Sequence, residues 1–320
     1  MSNGDPWSKS TYDRVTRRKI DSGTAFQYTR SSKSAGVWEA HDNLKVLAPN
    51  GEPVTRESRD SDRYPVTTPI VVGFDVTGSM DENPAILQSS LKGLMGMIDR
   101  KGLVSGPQIA IAAYGDTNGD YVPVQLSQFE CDNLIDENLD NVFIEGHGCG
   151  NGGETSTALA WFVARHVVTD AWEKRGKRGY MFLIGDECAL SVQPDESKRF
   201  LGEPEPRLIT PEEAFSAATE RWDVYFIVVN NWSAQYQDSV RKYKDLLGDD
   251  HVIVLESTES APAVIASVIA LTEGTMDRSE MACELEDAGF GAETALAAVN
   301  ATANVGDNSI SKVSYADLGL

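Results

Sequence analysis

Cysteine is scarce in this chain. The four present in 320 residues, Cys131, Cys149, Cys188 and Cys283, form neither a CxxC pair nor a zinc-ligand spacing. That argues against a disulfide scaffold and fits a reducing compartment. Positive charge is also short. The 28 Lys and Arg face 49 Asp and Glu, a net charge of −21. A surface this acidic repels phosphate backbones and anionic membrane faces, so neither nucleic acid nor a membrane is an expected partner. Long apolar runs are missing too. The longest without a charge, near Ala261–Leu271, falls well short of the roughly 20 residues that span a bilayer. The opening MSNGDPWSKS lacks the apolar core of a secretion signal. The expectation is a soluble, cytoplasmic protein. No GxxxxGKS/T phosphate loop occurs, which excludes a P-loop nucleotidase. No nucleophile elbow with Ser, His and Asp in order appears either.

What is present divides into three stretches. Residues 1–68 carry 11 Lys and Arg against 9 Asp and Glu, a net of +2, with few aliphatic runs. They read as an N-terminal arm, either flexible or packed on the main domain or on a neighbouring subunit. Phe26, Tyr28, Trp38 and Leu44 give the arm something to bury. From residue 69 to 274 the pattern alternates. PIVVGFDV, QIAIAAYGD, YMFLIGDE, DVYFIVVN and HVIVLES are short apolar runs typical of strands buried on both faces. Between them lie helical segments. Asn83-Pro84 reads as an N-cap and first turn before AILQSSLKGLMGMIDRKG. TSTALAWFVARHVVTDAWEK reads as one helix, and Thr210-Pro211-Glu212-Glu213 as a capping box opening another. YVPVQLSQF alternates and holds a proline, which suits an edge strand. CALSVQPDESKRFLGEPEPRLI reads as a long irregular insertion. The expected fold is therefore α/β, a doubly wound, mostly parallel sheet with one antiparallel edge strand and extensions at both ends. Residues 275–320 form the C-terminal tail, with two segments of helical pattern.

Ligands of open α/β sheets bind beyond the carboxyl ends of the strands. Three loops at that edge carry oxygen donors: Asp75-x-Thr77-x-Ser79 after the first buried strand, Thr155 after a glycine-rich loop (glycines at 148, 150, 152 and 153), and Asp186 after YMFLIG. Two carboxylates and three hydroxyls are hard donors, suited to Mg²⁺ and not to a nitrogen- or sulfur-seeking metal. His147, Cys149 and Cys188 lie in or beside these loops and are read as ordinary loop residues. His41, His166 and His251 are read as structural.

DxTxS after a buried strand, GGET before a helix and LIGD after a strand resemble the von Willebrand factor A (VWA) superfamily and its metal-ion-dependent adhesion site. The resemblance covers roughly residues 69–272. It implies a Rossmann-like sheet with one antiparallel edge and a metal held by Asp75, Thr77, Ser79, Thr155 and Asp186. It implies Mg²⁺, with Mn²⁺ or Ca²⁺ as alternatives, keeping an open position for a partner's Asp or Glu. Thr77 stands where serine is commoner, and Glu187 where glycine often follows the aspartate. Asp81, Glu82, Glu154 and Glu187 set the field around the site. Together with Cys188, Pro194 and Phe200 on the insertion, they are the expected partner-binding residues.

The resemblance implies binding without turnover: a protein-interaction module, adaptor or scaffold. Cytoplasmic VWA proteins of bacteria and phages resemble adaptors that work with AAA+ ATPases, so a remodelling complex is the specific expectation. Two alternatives stand beside it. One is a self-assembling structural protein whose arms build a homo-oligomer, with Asp317 of YADLGL as a carboxylate to offer. The other is a metal-dependent phosphohydrolase. Phosphoaspartate chemistry needs a second acid two residues after the first, and Thr77 occupies that place.

Overall fold

The computed structural model describes residues 7–11, 27–80, 83, 86–87, 94, 96–98, 100–146, 154–229, 236–255 and 257–305, with Ser79 by its backbone alone. Its centre is a six-stranded sheet in the order β4-β3-β2-β6-β7-β8. The parallel strands are β2 (Thr68–Asp75), β3 (Pro107–Tyr114), β6 (Gly179–Gly185), β7 (Trp222–Val228) and β8 (Val252–Val254). The edge strand β4 (Val124–Leu126) pairs antiparallel with β3. This is the doubly wound sheet with one antiparallel edge that the VWA resemblance implies.

Every residue of β2 is buried, as expected for a central strand covered on both faces. Successive side chains point to opposite faces, and two cores result. On one face Ile70, Val72 and Phe74 join Phe182, Ile184 and Ile227. The helices α8 (Ala261–Glu273), α9 (Arg278–Ala288) and α10 (Ala292–Ala301) supply Val264, Val268, Leu285 and Val299 to this core. On the other face Val71, Tyr114, Leu183 and Phe226 join residues from α3 (Ser156–His166), α6 (Pro211–Thr219) and α7 (Tyr236–Leu247). Gly73 permits the close approach of α3. A Cβ there would lie 2.9 Å from Leu159 Cδ2 and 3.1 Å from Leu183 Cδ2.

Two segments differ from the sequence expectation. The stretch read as one helix after Thr155 ends at His166, becomes strand β5 (Val167–Thr169), then resumes as α4 (Asp170–Arg175). The β-branched run Val167-Val168-Thr169 pairs in parallel with β1 (Arg56–Ser58). Thr169 Oγ1 then caps α4 by accepting from Trp172 N at 3.3 Å. The helical pattern on either side concealed a pairing with a partner far away in the chain. The insertion after Cys188 is also not irregular throughout. It holds α5 (Pro194–Leu201), opened by a capping box between Gln193 and Glu196 and closed at Gly202, whose φ is 68°. Glutamine is a weak N-cap signal, so only its reciprocal bond with Glu196 reveals the start.

The described part of the first 68 residues lies against the sheet domain of its own chain. Helix α1 (Gln27–Ser34) places Thr29 Oγ1 to donate to Val142 O at 3.0 Å. The unpaired side of β4 is met by Leu44, whose carbonyl accepts from Leu126 N at 3.0 Å. An edge covered in this way is closed to pairing with other chains. Further on, Arg59 pairs with Asp170 and Glu173, while Asp60 accepts from Arg175 at 2.7 and 3.1 Å. Charges of both signs therefore dock this segment, not its small net positive charge. At the other end, Arg278 donates to the carbonyls of Val299, Thr302 and Val305, satisfying the last turn of α10.

Among the described residues no helix is long and apolar enough to cross a membrane.

Candidate functional site

The parallel strands end together, and their following loops meet at one edge. Asp75, the last residue of β2, is fully buried. Its Oδ1 accepts from Thr77 N at 2.7 Å, which turns the chain sharply after the strand. Its Oδ2 is buried and has no hydrogen-bond partner among the described residues. Thr77 is also buried, and Gly78–Met80 forms a single 3-10 turn.

Thr155 enters from the second loop, directly before α3. Its N–H donates to Gly115 O at 3.0 Å, and its Oγ1 accepts from Thr117 N at 2.8 Å. The loop after β3 thus holds the threonine in place. Thr117 Oγ1 in turn donates to Glu196 Oε2 at 2.8 Å, so α5 supports the same arrangement. Asp186 follows β6 and is buried. The preceding Gly185 leaves room for Tyr114, whose hydroxyl would lie 2.8 Å from a Cβ at that position. Tyr114 uses that space to donate to Ile184 O at 2.9 Å.

The electrostatics are those of a buried anionic cluster. Burial holds the Asp75 carboxyl well above its usual range, and the charges of Glu154 and Asp186 push it further. Its bonds with Thr77 act the other way. Burial lifts Glu154 to about 8, against the pull of Tyr243 and Ser156, which bond to it. Burial also raises Glu187, and Asp186 and Asp116 add to the effect. The charges acting most strongly on Asp75 and Glu187 are all carboxylates. A buried carboxylate oxygen without a donor, among other carboxylates, is costly unless a proton or a cation compensates it.

The donors present fit a hard divalent ion. Among the described residues no group of three or more His, Cys, Asp and Glu side chains is arranged to hold a metal. The oxygen donors at this edge are carboxylates mixed with hydroxyls. Asp75, Thr77, Thr155 and Asp186 provide that mixture at the ends of β2 and β6 and the start of α3. Thr155 Oγ1 accepts one N–H and retains capacity for a further contact.

The expected partner-binding residues separate. Glu187 is half-buried and Pro194 exposed, so both are reachable from solvent. Glu154, Cys188 and Phe200 are buried. Glu154 in particular is turned inward, because its Oε1 accepts from Tyr243 OH at 2.5 Å and its Oε2 from Ser156 N. Its carboxyl is held by contacts inside the domain. The side chain of Ser79, and Asp81, Glu82, His147, Cys149, Asp317 and the glycines at 148, 150, 152 and 153, lie outside the described residues.

Helix α7 contributes residues that sequence reading missed. Tyr243 OH lies 2.7 Å from Ser156 Oγ as well as bonding Glu154, so one hydroxyl ties α7 to the start of α3. One turn earlier, Ser239 Oγ donates to the Asp186 carbonyl at 3.1 Å. Two of the three donor loops thus rest on one helix. In the sequence Ser239 and Tyr243 are merely four apart on an amphipathic pattern, with nothing to distinguish them from packing residues.

No protein-family model matches the chain, and neither does any curated protein. Solved structures with a similar course of chain include three of different origin. A pilus adhesin, SpaC from Lactobacillus rhamnosus GG, aligns at 10% identity and a TM-score of 0.47, covering 73% of this chain and 36% of its own. Proximal thread matrix protein 1 from the mussel byssus, with a zinc-occupied MIDAS motif, aligns at 15% identity and 0.43, covering 65% and 46%. The conserved hypothetical protein BatB from Bacteroides thetaiotaomicron aligns at 10% and 0.41, covering 65% and 100%. The chain spans less than half the length of the adhesin and of the mussel protein.

Proposed function

We propose that this chain is a metal-dependent protein-docking module. Asp75, Thr77, Ser79, Thr155 and Asp186 would hold a divalent cation, Mg²⁺ by the hardness of the donors. The observation that carries the reading is Asp75 Oδ2, buried without a hydrogen-bond partner among the described residues in a cluster of carboxylates at the carboxyl edge of the sheet. A cation bound there supplies a coordination position that an Asp or Glu of a partner protein fills. The protein's own part is to fix the donors. Thr77 N–H orients Asp75, Thr117 orients Thr155, and Ser239 holds the main chain of Asp186.

The reading includes the absence of turnover. Thr77 occupies the place where a phosphoaspartate enzyme needs its general acid. A cytoplasmic adaptor that works with an AAA+ ATPase is the setting the VWA resemblance suggests, and a homo-oligomer built through the same site is the second. The test is capture of partners on immobilised wild type and Asp75→Ala, in magnesium and then in EDTA. Partners retained only by the wild type in magnesium support docking. Identical capture in all four arms contradicts it. A phosphatase rate that Asp75→Asn abolishes would favour the enzyme instead.

A further inference from the structure

A second feature of the same sheet edge lies three strand spacings, roughly 14 Å, from the end of β2. Between the loop after β8 and helix α10 is a cleft of about 500 Å³. That volume lies in the range of ligand-binding pockets. Its walls include Ser257 and Glu259 on the loop and Glu293, Thr294, Ala297 and Asn300 on α10. The sign of these groups is one-sided. Two carboxylates and an amide line the space, and among the described residues no Lys, Arg or His does. Glu259 and Glu293 are exposed and have no ion-pair partner among the described residues. Asn300 is half-buried, and its Oδ1 accepts no hydrogen bond among the described residues. The cleft therefore holds acceptors in excess of donors, with unused negative charge.

The cleft is joined to the metal-site loop. Thr258, between the two lining residues Ser257 and Glu259, donates through Oγ1 to Asn83 Oδ1 at 2.5 Å. Asn83 stands four residues after Ser79 of the DxTxS loop. The hydrogen bond links the cleft's rim to the segment that follows the DxTxS loop.

From this we infer that the cleft is a subsite for an arginine side chain of the docked protein. The missing chemistry is a flat cation with several donors. A guanidinium has five N–H donors in a fixed plane and can serve a carboxylate on each wall, whereas an ammonium is a compact point charge. The apolar stem of the arginine would lie along Ala297. The partner's arginine, one sheet-edge away from its metal-bound carboxylate, also accounts for selectivity. A domain this acidic repels a generic acidic ligand, and a flanking cation offsets that repulsion. That the arginine belongs to a protein rests on the docking reading. That the cleft takes a guanidinium does not.

The experiment separates the two. The full chain, labelled with ¹⁵N, is titrated by NMR with N-acetyl-arginine amide and with the neutral isostere N-acetyl-citrulline amide, in EDTA and in magnesium. The inference expects shifts centred on residues 257–260 and 293–300, saturating in the millimolar range. It expects the citrulline probe to bind more weakly by roughly tenfold, and the paired variant Glu259→Gln, Glu293→Gln to lose a similar factor for the arginine probe. Both substitutions are at exposed positions, and an unchanged thermal midpoint shows that the variant is folded. EDTA should leave the arginine shifts in place even if the metal reading fails. Equal binding of the two probes, shifts centred elsewhere, or full affinity in the folded double variant would each overturn the inference.

Discussion

At the scale of single residues, the site depends on which buried groups have partners. Tyr243 is the clearest case. Its hydroxyl donates to Glu154 and contacts Ser156, all three residues being buried. Tyr243→Phe keeps the ring, which stacks on Phe226, and removes only the hydroxyl. The variant should lose about 1–3 kcal/mol of stability, the cost of stranding buried polar atoms. It should also bind metal more weakly, because Thr155 follows directly on Glu154. Urea denaturation and calorimetry on the same sample check the two effects, and a stable variant with unchanged metal affinity would count against it. The raised carboxyls make a pH prediction. Glu154 rises from 4.5 to about 8, and Asp75 rises for the same reason, its burial. The folded state then holds protons that the unfolded chain releases. Metal-free stability should fall as pH rises from 4.5 to about 8, at on the order of 1 kcal/mol per pH unit from Glu154 while it titrates, and Asp75 acts in the same direction. Magnesium should flatten the fall. Thermal midpoints in EDTA and in magnesium across that window test it, and a midpoint in EDTA that climbs toward pH 8 contradicts it. The placement of Asp75, Thr77, Thr155 and Asp186 was legible in the sequence because each sits beside the end of a recognisable strand or the start of a helix. Thr117, Glu196, Ser239 and Tyr243 were not. Their roles come from contacts between distant segments, and a hydroxyl on a helix looks the same whether it faces water or a buried carbonyl.

At the scale of elements, the docking of the first segment is a matter of a few polar contacts. Asp60 accepts from Arg175, Lys174 and both the N–H and hydroxyl of Thr67. These partners, Arg175 foremost, hold its carboxyl below the usual range. A depressed carboxyl stabilises at pH values above its unfolded value near 3.8 and loses that contribution as pH falls through the folded one. Asp60→Ala should therefore cost about 1–3 kcal/mol at neutral pH, with little difference from wild type in strong acid. Limited proteolysis should cut the variant sooner within residues 56–68, and equal cleavage rates would deny the contact its role. The parallel sheet was readable because buried strands appear as apolar runs and helices as periodic ones. The pairing of β1 with β5 was not, since three residues in each strand carry no period. Helix α5 changes the expectation for its segment. Glu196 reaches Thr117, and Thr117 holds Thr155. Shortening the segment from 188 to 209 should thus weaken metal binding, not only partner binding.

At the scale of the molecule, three features combine: an acidic chain, a sheet edge with a buried unpaired carboxylate oxygen, and terminal segments folded onto the same domain. Thr29 and Leu44 of the 27–68 segment and the inner faces of helices α9 and α10 pack against their own chain, so these contacts serve the domain's own stability. Light scattering at high concentration distinguishes a monomer from an oligomer. Everything in the docking reading depends on whether a cation sits at Asp75. The most direct measurement is calorimetric titration of the metal-free full chain with Mg²⁺ and Mn²⁺, for wild type and Asp75→Ala. The account predicts one site in the wild type and none in the variant, with the variant still folded because both cores form without the metal. Matching isotherms for the two proteins, or no binding by a folded wild type, would contradict it.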